Sequence, residues 1–116
     1  MNHKPYIELP NSHGFEVIHQ KNIISVSSDD KFITFTIEDN RKIRLRGTMA
    51  EAEEILTSRD LVRCHLRHFV NLRKIVRVLK QRKGLIMSSG EEIPISQSYR
   101  KMVFDAHGQL CNRWRG

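Results

Sequence analysis

The stretch LVRCHLRHFVNLRKIVRVLKQRK, residues 61–83, decides the fold. It contains eight Lys or Arg residues and no acid, yet apolar residues interrupt the charges at the short spacing that is typical of β-strands. A basic tail would be polar throughout and disordered. We therefore expect a folded, β-rich surface that directs cations into solvent, as a polyanion-binding protein requires.

The residues before this stretch predict strands and one helix. Four segments carry short apolar or alternating patterns that are typical of strands: Phe15–Ile18, Ile23–Val26, Phe32–Ile37 and Lys42–Arg46. The last two are separated by Asp39-Asn40 and predict a hairpin. Thr48 and Glu51 have the spacing of a capping box, which predicts a helix of roughly two to three turns that ends by Ser58.

Further strands are expected within and after the basic stretch. They are Leu61–Leu66, Ile75–Leu79, Leu85–Met87 and Glu92–Ile95. His68–Leu72 is expected to be a constrained connection, and Pro94 places the last strand at a sheet edge. Tyr99–Phe104 fits either a terminal strand or one helical turn.

These patterns together predict one domain over residues 1–116. Its core spans about residues 6–106, and residues 107–116 form a flexible tail. The fold class is mainly β, with packed, mostly antiparallel sheets and one short α-helix. A chain of 116 residues is long enough to bury a core of this kind.

The charge of the chain is both positive and segregated. The formal net charge is +7, from 20 cations and 13 acids. Three glutamates cluster in residues 48–57, whereas cations crowd residues 41–46, 59–83 and 100–101. One face should therefore be far more positive than the net charge implies, and phosphate contacts there would supply affinity through counterion release.

Several other classes of protein fit poorly. No apolar run approaches the roughly 20 residues of a transmembrane helix, so no membrane partner is expected. Two cysteines, Cys64 and Cys111, favour a reducing compartment, and the cytoplasm is the expected location. The nucleotide-binding and hydrolase motifs of common enzymes are missing from the sequence, so we expect no enzyme and no cofactor.

A metal site is considered because Cys64, His65 and His68 lie close together in sequence. Neighbouring residues of a strand point to opposite faces, so Cys64 and His65 are poorly placed to bind one ion. We expect no metal, and we expect Cys64 to be a small buried side chain.

The order of these elements, together with two sequence patterns, resembles the LytTR family of DNA-binding domains. The first pattern is Arg63-Cys64-His65-Leu66-Arg67-His68-Phe69-Val70-Asn71. The second is Gly90-Glu91-Glu92-Ile93-Pro94-Ile95-Ser96-Gln97-Ser98. The resemblance covers roughly residues 6 to 106.

The resemblance implies a β-sandwich that presents loops to duplex DNA. It implies contacts in adjoining major grooves and the intervening minor groove, usually at paired direct repeats, and with them a homodimer on DNA. It also implies a role in bacterial two-component regulation, with a receiver domain or partner regulator outside this chain. The three family contact loops map to Asp29–Lys31, His65–His68 and Ser96–Arg100.

We therefore expect DNA contacts from eight residues: Lys31, His65, Leu66, Arg67, His68, Gln97, Ser98 and Arg100. Four of them depart from the family pattern. Leu66 is apolar where a polar residue is common, and Arg67 replaces a common serine. Gln97 and Ser98 stand where basic residues are usual. Leucine can pack against a thymine methyl, and arginine can contact guanine or phosphate. Gln97 has the geometry to bind adenine, but it equally fits a solvated surface side chain, as Lys31 does. Asn71 is expected to be structural.

Three functions remain open from the sequence. The first is sequence-specific binding of duplex DNA by a transcriptional regulator. The second is a LytTR-like protein-interaction module that antagonises or pairs with another regulator without binding DNA itself. The third is binding of single-stranded RNA, which the scattered aromatic residues do not favour.

Overall fold

The computed structural model describes residues 4–116, and within this range it contains ten β-strands and two α-helices. In chain order they are β1 (Tyr6–Asn11), β2 (Gly14–His19), β3 (Ile23–Asp29), β4 (Phe32–Ile37), β5 (Arg41–Arg46), α1 (Met49–Ile55), β6 (Leu61–His65), β7 (His68–Asn71), β8 (Ile75–Val78), β9 (Gly84–Met87), β10 (Glu92–Pro94) and α2 (Gln97–Gly108).

The strands form three sheets in which every neighbouring pair is antiparallel. The central sheet has the strand order β5-β4-β3-β7-β6, and it is flanked by the hairpin β1-β2 and by the sheet β10-β9-β8. The predicted fold class, mainly β with antiparallel sheets, is confirmed. Pro94 lies on the edge strand β10, where no ladder hydrogen bond is lost to its missing N–H.

The hairpin β4–β5 shows how the alternation of residues fixes the central sheet. Ile33, Phe35 and Ile37 are buried on one face of β4. The chain then reverses at Asp39 and Asn40, whose φ angles of 68° and 59° are the left-handed values that a tight hairpin turn requires. The predicted hairpin is therefore confirmed, together with its turn.

The first outer layer consists of β1, β2 and α1, which cover one face of the central sheet. The apolar side chains that meet there are Ile7, Leu9, Ile18, Val26, Ile33, Phe35, Met49, Ala52, Leu56 and Phe69. The capping box predicted for α1 is present, because the Thr48 hydroxyl accepts from Glu51 N at 3.2 Å and the Glu51 carboxylate accepts from Thr48 N at 3.0 Å. Both bonds satisfy amides that the first turn leaves unpaired.

The second outer layer consists of β8, β9, β10 and α2 on the opposite face of the central sheet. Its core contains Ile24, Cys64, Val70, Leu72, Leu85, Met87, Ile93, Ile95 and Val103. Phe69 and Val70 are neighbours on β7, and their side chains enter different cores. Since successive side chains of a strand point to opposite faces, the molecule is built as three layers.

The structure has a second helix that the sequence analysis did not assign. Tyr99–Phe104 forms neither a strand nor a single turn, but the middle of the 12-residue helix α2. This helix continues to Gly108, so the first residues of the predicted tail, residues 107–116, are helical. Val103 is its fully buried residue and joins the second core.

The segment His68–Leu72 is mainly a strand and not a connection. Residues 68–71 form β7, which lies between β3 and β6 in the central sheet. Asn71 ends this strand. Its amide Nδ2 donates to Ile23 O at 2.9 Å, and its Oδ1 accepts from Arg73 N at 2.9 Å. The structural role predicted for Asn71 is confirmed.

A buried amide fastens the first outer layer to the chain that follows α1. Gln20 is only 1 % exposed, and its Nε2 donates to Lys4 O at 2.6 Å and to Thr57 Oγ1 at 2.9 Å. Its Oε1 accepts from the backbone amides of Thr57 and Ser58 at 3.0 and 2.9 Å. The full hydrogen-bonding capacity of this amide is used.

We expect Gln20→Ala to lower the free energy of unfolding by about 3 kcal/mol, because it leaves buried backbone groups without partners. Equilibrium unfolding in urea measures the change. Gln109→Ala, at an exposed position, should lie within about 0.5 kcal/mol of the wild type. A loss below about 1 kcal/mol for Gln20→Ala would show that water replaces the amide at this position.

Candidate nucleic-acid interface

Three loops that are distant in sequence lie at one end of the central sheet. The turn between β6 and β7 is bound to the end of β3, since Ser28 N donates to Arg67 O at 2.9 Å. The start of α2 is bound to the end of β6, since Ser96 N donates to Cys64 O at 3.0 Å. The structure thus brings the three predicted contact loops together.

The turn between β6 and β7 is shaped by Arg63. Its guanidinium donates to Leu66 O at 2.6 Å and to His65 O at 3.3 Å. The same side chain pairs with Glu53 of α1 at 3.1 Å. A planar guanidinium with several donors is suited to hold two carbonyls and a carboxylate at once.

The tip of this turn directs two different side chains into solvent. Leu66 is 66 % exposed, and Arg67 is exposed beside it. The Arg67 backbone amide donates to His65 Nδ1 at 3.1 Å, so the half-buried His65 ring supports the turn from inside. The turn therefore presents one apolar and one cationic group.

His68 lies at the base of the turn and is half-buried. Its Nδ1 is 2.8 Å from Ser27 Oγ, and its ring stacks edge-on against His65 with 5.2 Å between the centroids. Burial, followed by the proximity of His65, lowers the pKa of His68, although Glu91 opposes the shift. A neutral ring that is hydrogen-bonded to Ser27 stabilises the loop cluster.

The third loop is the N-terminal end of α2. Gln97 and Ser98 are exposed in its first turn, and the Ser96 hydroxyl lies 3.5 Å from Ser98 Oγ instead of capping a backbone amide. The unpaired amides of a helix start, together with the positive end of the helix dipole, attract phosphate groups. Gln97 and Ser98 thus lie where a phosphate or a base edge can approach.

Arg100 and Lys31 occupy contrasting environments. The Arg100 Nε donates to Arg82 O at 3.1 Å, and its Nη2 donates to Ile95 O at 3.4 Å, so its guanidinium is already engaged with the backbone. Lys31 is exposed at the turn between β3 and β4, where its carbonyl accepts from Gly47 N at 2.9 Å. Among residues 4–116 no carboxylate lies within salt-bridge distance of its amine. Lys31 is therefore the more available cation.

Arg63 and Ser28 are the residues that sequence reasoning did not assign to the site. A cation three residues before an exposed turn, on a strand that has no exposed residue, is a usable signal for Arg63. For Ser28 the sequence offers no signal, because its contribution is a backbone amide that bonds to another strand.

The structure gives no support for a metal site in residues 4–116, where no three His, Cys, Asp or Glu side chains are grouped suitably. Cys64 is fully buried, and burial raises the pKa of its thiol to about 12. A thiol in that state is a poor ligand, because metals bind the thiolate. The interpretation of Cys64 as a small buried side chain is confirmed.

Within residues 4–116 no helix is both long and apolar enough to cross a membrane.

The lowered pKa of His68 predicts a dependence of stability on pH. Below the ordinary pKa of about 6.5 the unfolded chain binds a proton more readily than the folded chain, so the free energy of unfolding falls as pH drops from 7 to 5. His68→Gln, which has no titrating group, should show a shallower fall in urea unfolding over that range. His13→Gln, at an exposed position, should keep the wild-type slope. An unchanged slope in His68→Gln would contradict the prediction.

Comparison with known proteins identifies the family of the chain. No curated protein matches the chain. A solved structure of the LytTr DNA-binding domain of a protein named as a methyl-accepting/DNA response regulator from Bacillus cereus is similar in fold, with a TM-score of 0.74 and 23% identity. The alignment covers 91% of this chain and 99% of that chain. The family model of the LytTr DNA-binding domain matches residues 13–107, and the chain therefore belongs to the LytTR family of DNA-binding domains.

Proposed function

We propose that the chain binds duplex DNA in a sequence-specific manner through the three loops at the end of the central sheet. The observation that carries this proposal is their convergence through the Ser28–Arg67 and Ser96–Cys64 backbone hydrogen bonds. Two bonds of this kind fix the relative positions of the loops before DNA arrives. A preorganised surface loses less conformational entropy on binding.

Each loop has a different chemical role in the proposal. Leu66 packs against a thymine methyl, and Arg67 binds guanine or a phosphate. Gln97 and Ser98 bind a base edge or a phosphate at the start of α2, and Lys31 binds the phosphate backbone.

Three of the expected contact residues contribute mainly by positioning the loops. His65 supports the turn through the Arg67 amide, and His68 is bonded to Ser27. Arg100 holds the carbonyls of Arg82 and Ile95, so it fixes the start of α2 against the turn between β8 and β9. Phosphate contact by Arg100 would use the donors that these two bonds leave free.

The proposed biological role is that of a cytoplasmic bacterial transcriptional regulator that binds paired repeats as a dimer on DNA. Its receiver domain or partner regulator would lie outside this chain. Membership of the family, together with the exposed cations Lys31 and Arg67, supports this proposal. The alternative role, a protein-interaction module that does not bind DNA, has no support from the family match or from the fold.

In-vitro selection from a random duplex library tests the proposal directly. An enriched motif that is bound more tightly than scrambled DNA would establish specificity, and repeated half-sites in that motif would support the paired arrangement. The binding constant is then measured at several salt concentrations. The slope of its logarithm against the logarithm of the salt concentration gives the number of phosphate contacts. Salt-sensitive binding without enrichment would reduce the function to non-specific DNA binding.

Arg67→Ala should weaken binding to the selected duplex by at least about fivefold, since an arginine contact to a base contributes roughly 1–3 kcal/mol. Fluorescence anisotropy on labelled DNA measures the loss, and circular dichroism checks that the fold is intact. Arg59→Ala is the matched control, because Arg59 is an exposed cation outside the three loops. Equal losses in the two variants would mean that Arg67 contributes only general charge.

Leu66→Ala should reduce affinity by about fivefold, the effect of about one buried methylene. The proposed thymine contact is isolated by replacing single thymines of the site with deoxyuridine, which lacks the methyl. At the thymine that Leu66 contacts, removal of the methyl should weaken binding of the wild type but should not weaken binding of Leu66→Ala. If the loss of affinity from the DNA replacement and the loss from Leu66→Ala are additive at every thymine, Leu66 does not contact a thymine methyl.

A further inference from the structure

The hairpin β1–β2 buries one face and exposes an apolar one. Cross-strand pairs place Tyr6, Glu8, Pro10, Phe15 and Val17 on the side opposite to the residues that enter the core. Of these, Tyr6 is 57 %, Phe15 68 % and Val17 58 % exposed. We call this set the hairpin face. Large apolar side chains grouped on an exposed surface are typical of an interaction site.

A groove of about 750 Å³ lies between the hairpin face and the C-terminal end of α1. Tyr6, Val17 and the partly exposed Ile55 form its apolar walls. Two carboxylates, Glu8 and Glu54, and one cation, Lys4, also line it, so its net charge is negative. Within residues 4–116 neither of these glutamates has a cation within salt-bridge distance. The groove therefore suits a partner that is apolar and basic at once.

The opposite outer layer carries a surface of that chemistry. Strand β8 is an edge strand of its sheet, with Val76 64 % and Val78 39 % exposed. Arg77 and Lys80 are exposed next to them, and in the described part of the chain no acid pairs with either. We call these four residues the β8 surface.

The charges of the two outer layers are complementary over a wider area. Residues 4–19 and 48–57, which include the first outer layer, contain five glutamates and one lysine. Residues 73–83, which include β8, contain six cations and no acid. Because these layers lie on opposite faces of the central sheet, one molecule presents an acidic, apolar groove on one side and a basic, apolar edge on the other.

We propose that copies of this chain associate head to tail, with the β8 surface of one copy bound in the groove beside the hairpin face of the next. Charge complementarity selects a second copy as the partner, since the chain itself supplies the basic and apolar surface that the groove requires. The contact is heterologous, so a pair of copies keeps one free groove on one copy and one free β8 surface on the other. Both surfaces lie outside the three DNA-contact loops, so the association does not depend on the proposed function.

Sedimentation velocity without DNA tests the association, with protein at roughly 10 to 500 μM, a range that covers weak and transient interfaces. The sedimentation coefficient should rise with concentration. Raising the salt from about 50 to 500 mM should weaken association by at least about fivefold, because the charges lie on exposed surfaces. A monomer throughout this range at low salt would overturn the proposal.

Two variants and their mixture test the head-to-tail geometry. Tyr6→Ser/Val17→Lys changes two walls of the groove and disables it, and Val76→Ser/Arg77→Ser disables the β8 surface. Each variant alone should self-associate at least about tenfold more weakly than wild type. Mixed in equal amounts, with one variant fluorescently labelled, they should form a heterodimer, because one intact groove meets one intact β8 surface. Normal self-association of either variant, or failure of the mixture to associate, would overturn the proposal.

Matched controls separate this result from folding and from DNA binding. Arg59→Ser and Met102→Ser change an exposed cation and an exposed apolar residue outside both surfaces, and both should associate like the wild type. Equal losses in these controls would overturn the assignment of the two surfaces. Urea unfolding confirms that every variant is folded. Fluorescence anisotropy with a duplex that holds one selected half-site should give the same DNA affinity for all variants. A failure of DNA binding is therefore seen by anisotropy, and a failure of self-association is seen by sedimentation.

Discussion

The pairing of β7 with β3 is the interaction on which the rest of the structure depends. Strand β7 has only four residues, yet it joins β3 on one side and β6 on the other. Phe69 extends from it into one core and Val70 into the other, so both outer layers pack against the same short strand. Asn71 closes its end through Ile23 O and Arg73 N. Since strand register fixes the face of every side chain, a slip here would exchange the two cores.

The same pairing also positions the interface. Ser27 pairs with His68 in the ladder, and the next residue along β3, Ser28, bonds to the turn at Arg67. Behind this end, the Glu91 carboxylate accepts from the buried hydroxyls of Ser25 at 2.9 Å and Thr36 at 3.4 Å, which ties the second outer layer to the central sheet. A half-buried carboxylate with several donors favours one arrangement of the two layers, because a shift would break these hydrogen bonds.

The sequence predicts those elements whose two faces differ in polarity. The hairpin β4–β5 alternates clearly, and α1 begins with a recognisable cap, so both were predictable. Strand β7 is buried on both faces and shows no alternation, which explains its interpretation as a connection. Helix α2 buries Val103 but leaves Met102 44 % exposed, so its apolar stripe is narrow and no cap marks its start. Strand β1 contains a proline and two polar residues, so its sequence does not predict a strand. It is identified by its pairing with β2 in the structure.

In the candidate site, too, the sequence predicts one part of the arrangement and not the other. The resemblance places its three loops, but tertiary contacts determine which side chains are free: the Arg100 guanidinium is engaged with two carbonyls, whereas Leu66 extends into solvent. Those contacts also give the acidic helix α1 a role beyond packing. Glu53 pairs with Arg63, and Arg63 holds the carbonyls of the turn that exposes Leu66. Through this one guanidinium, the acidic helix stabilises the turn that we propose contacts the bases.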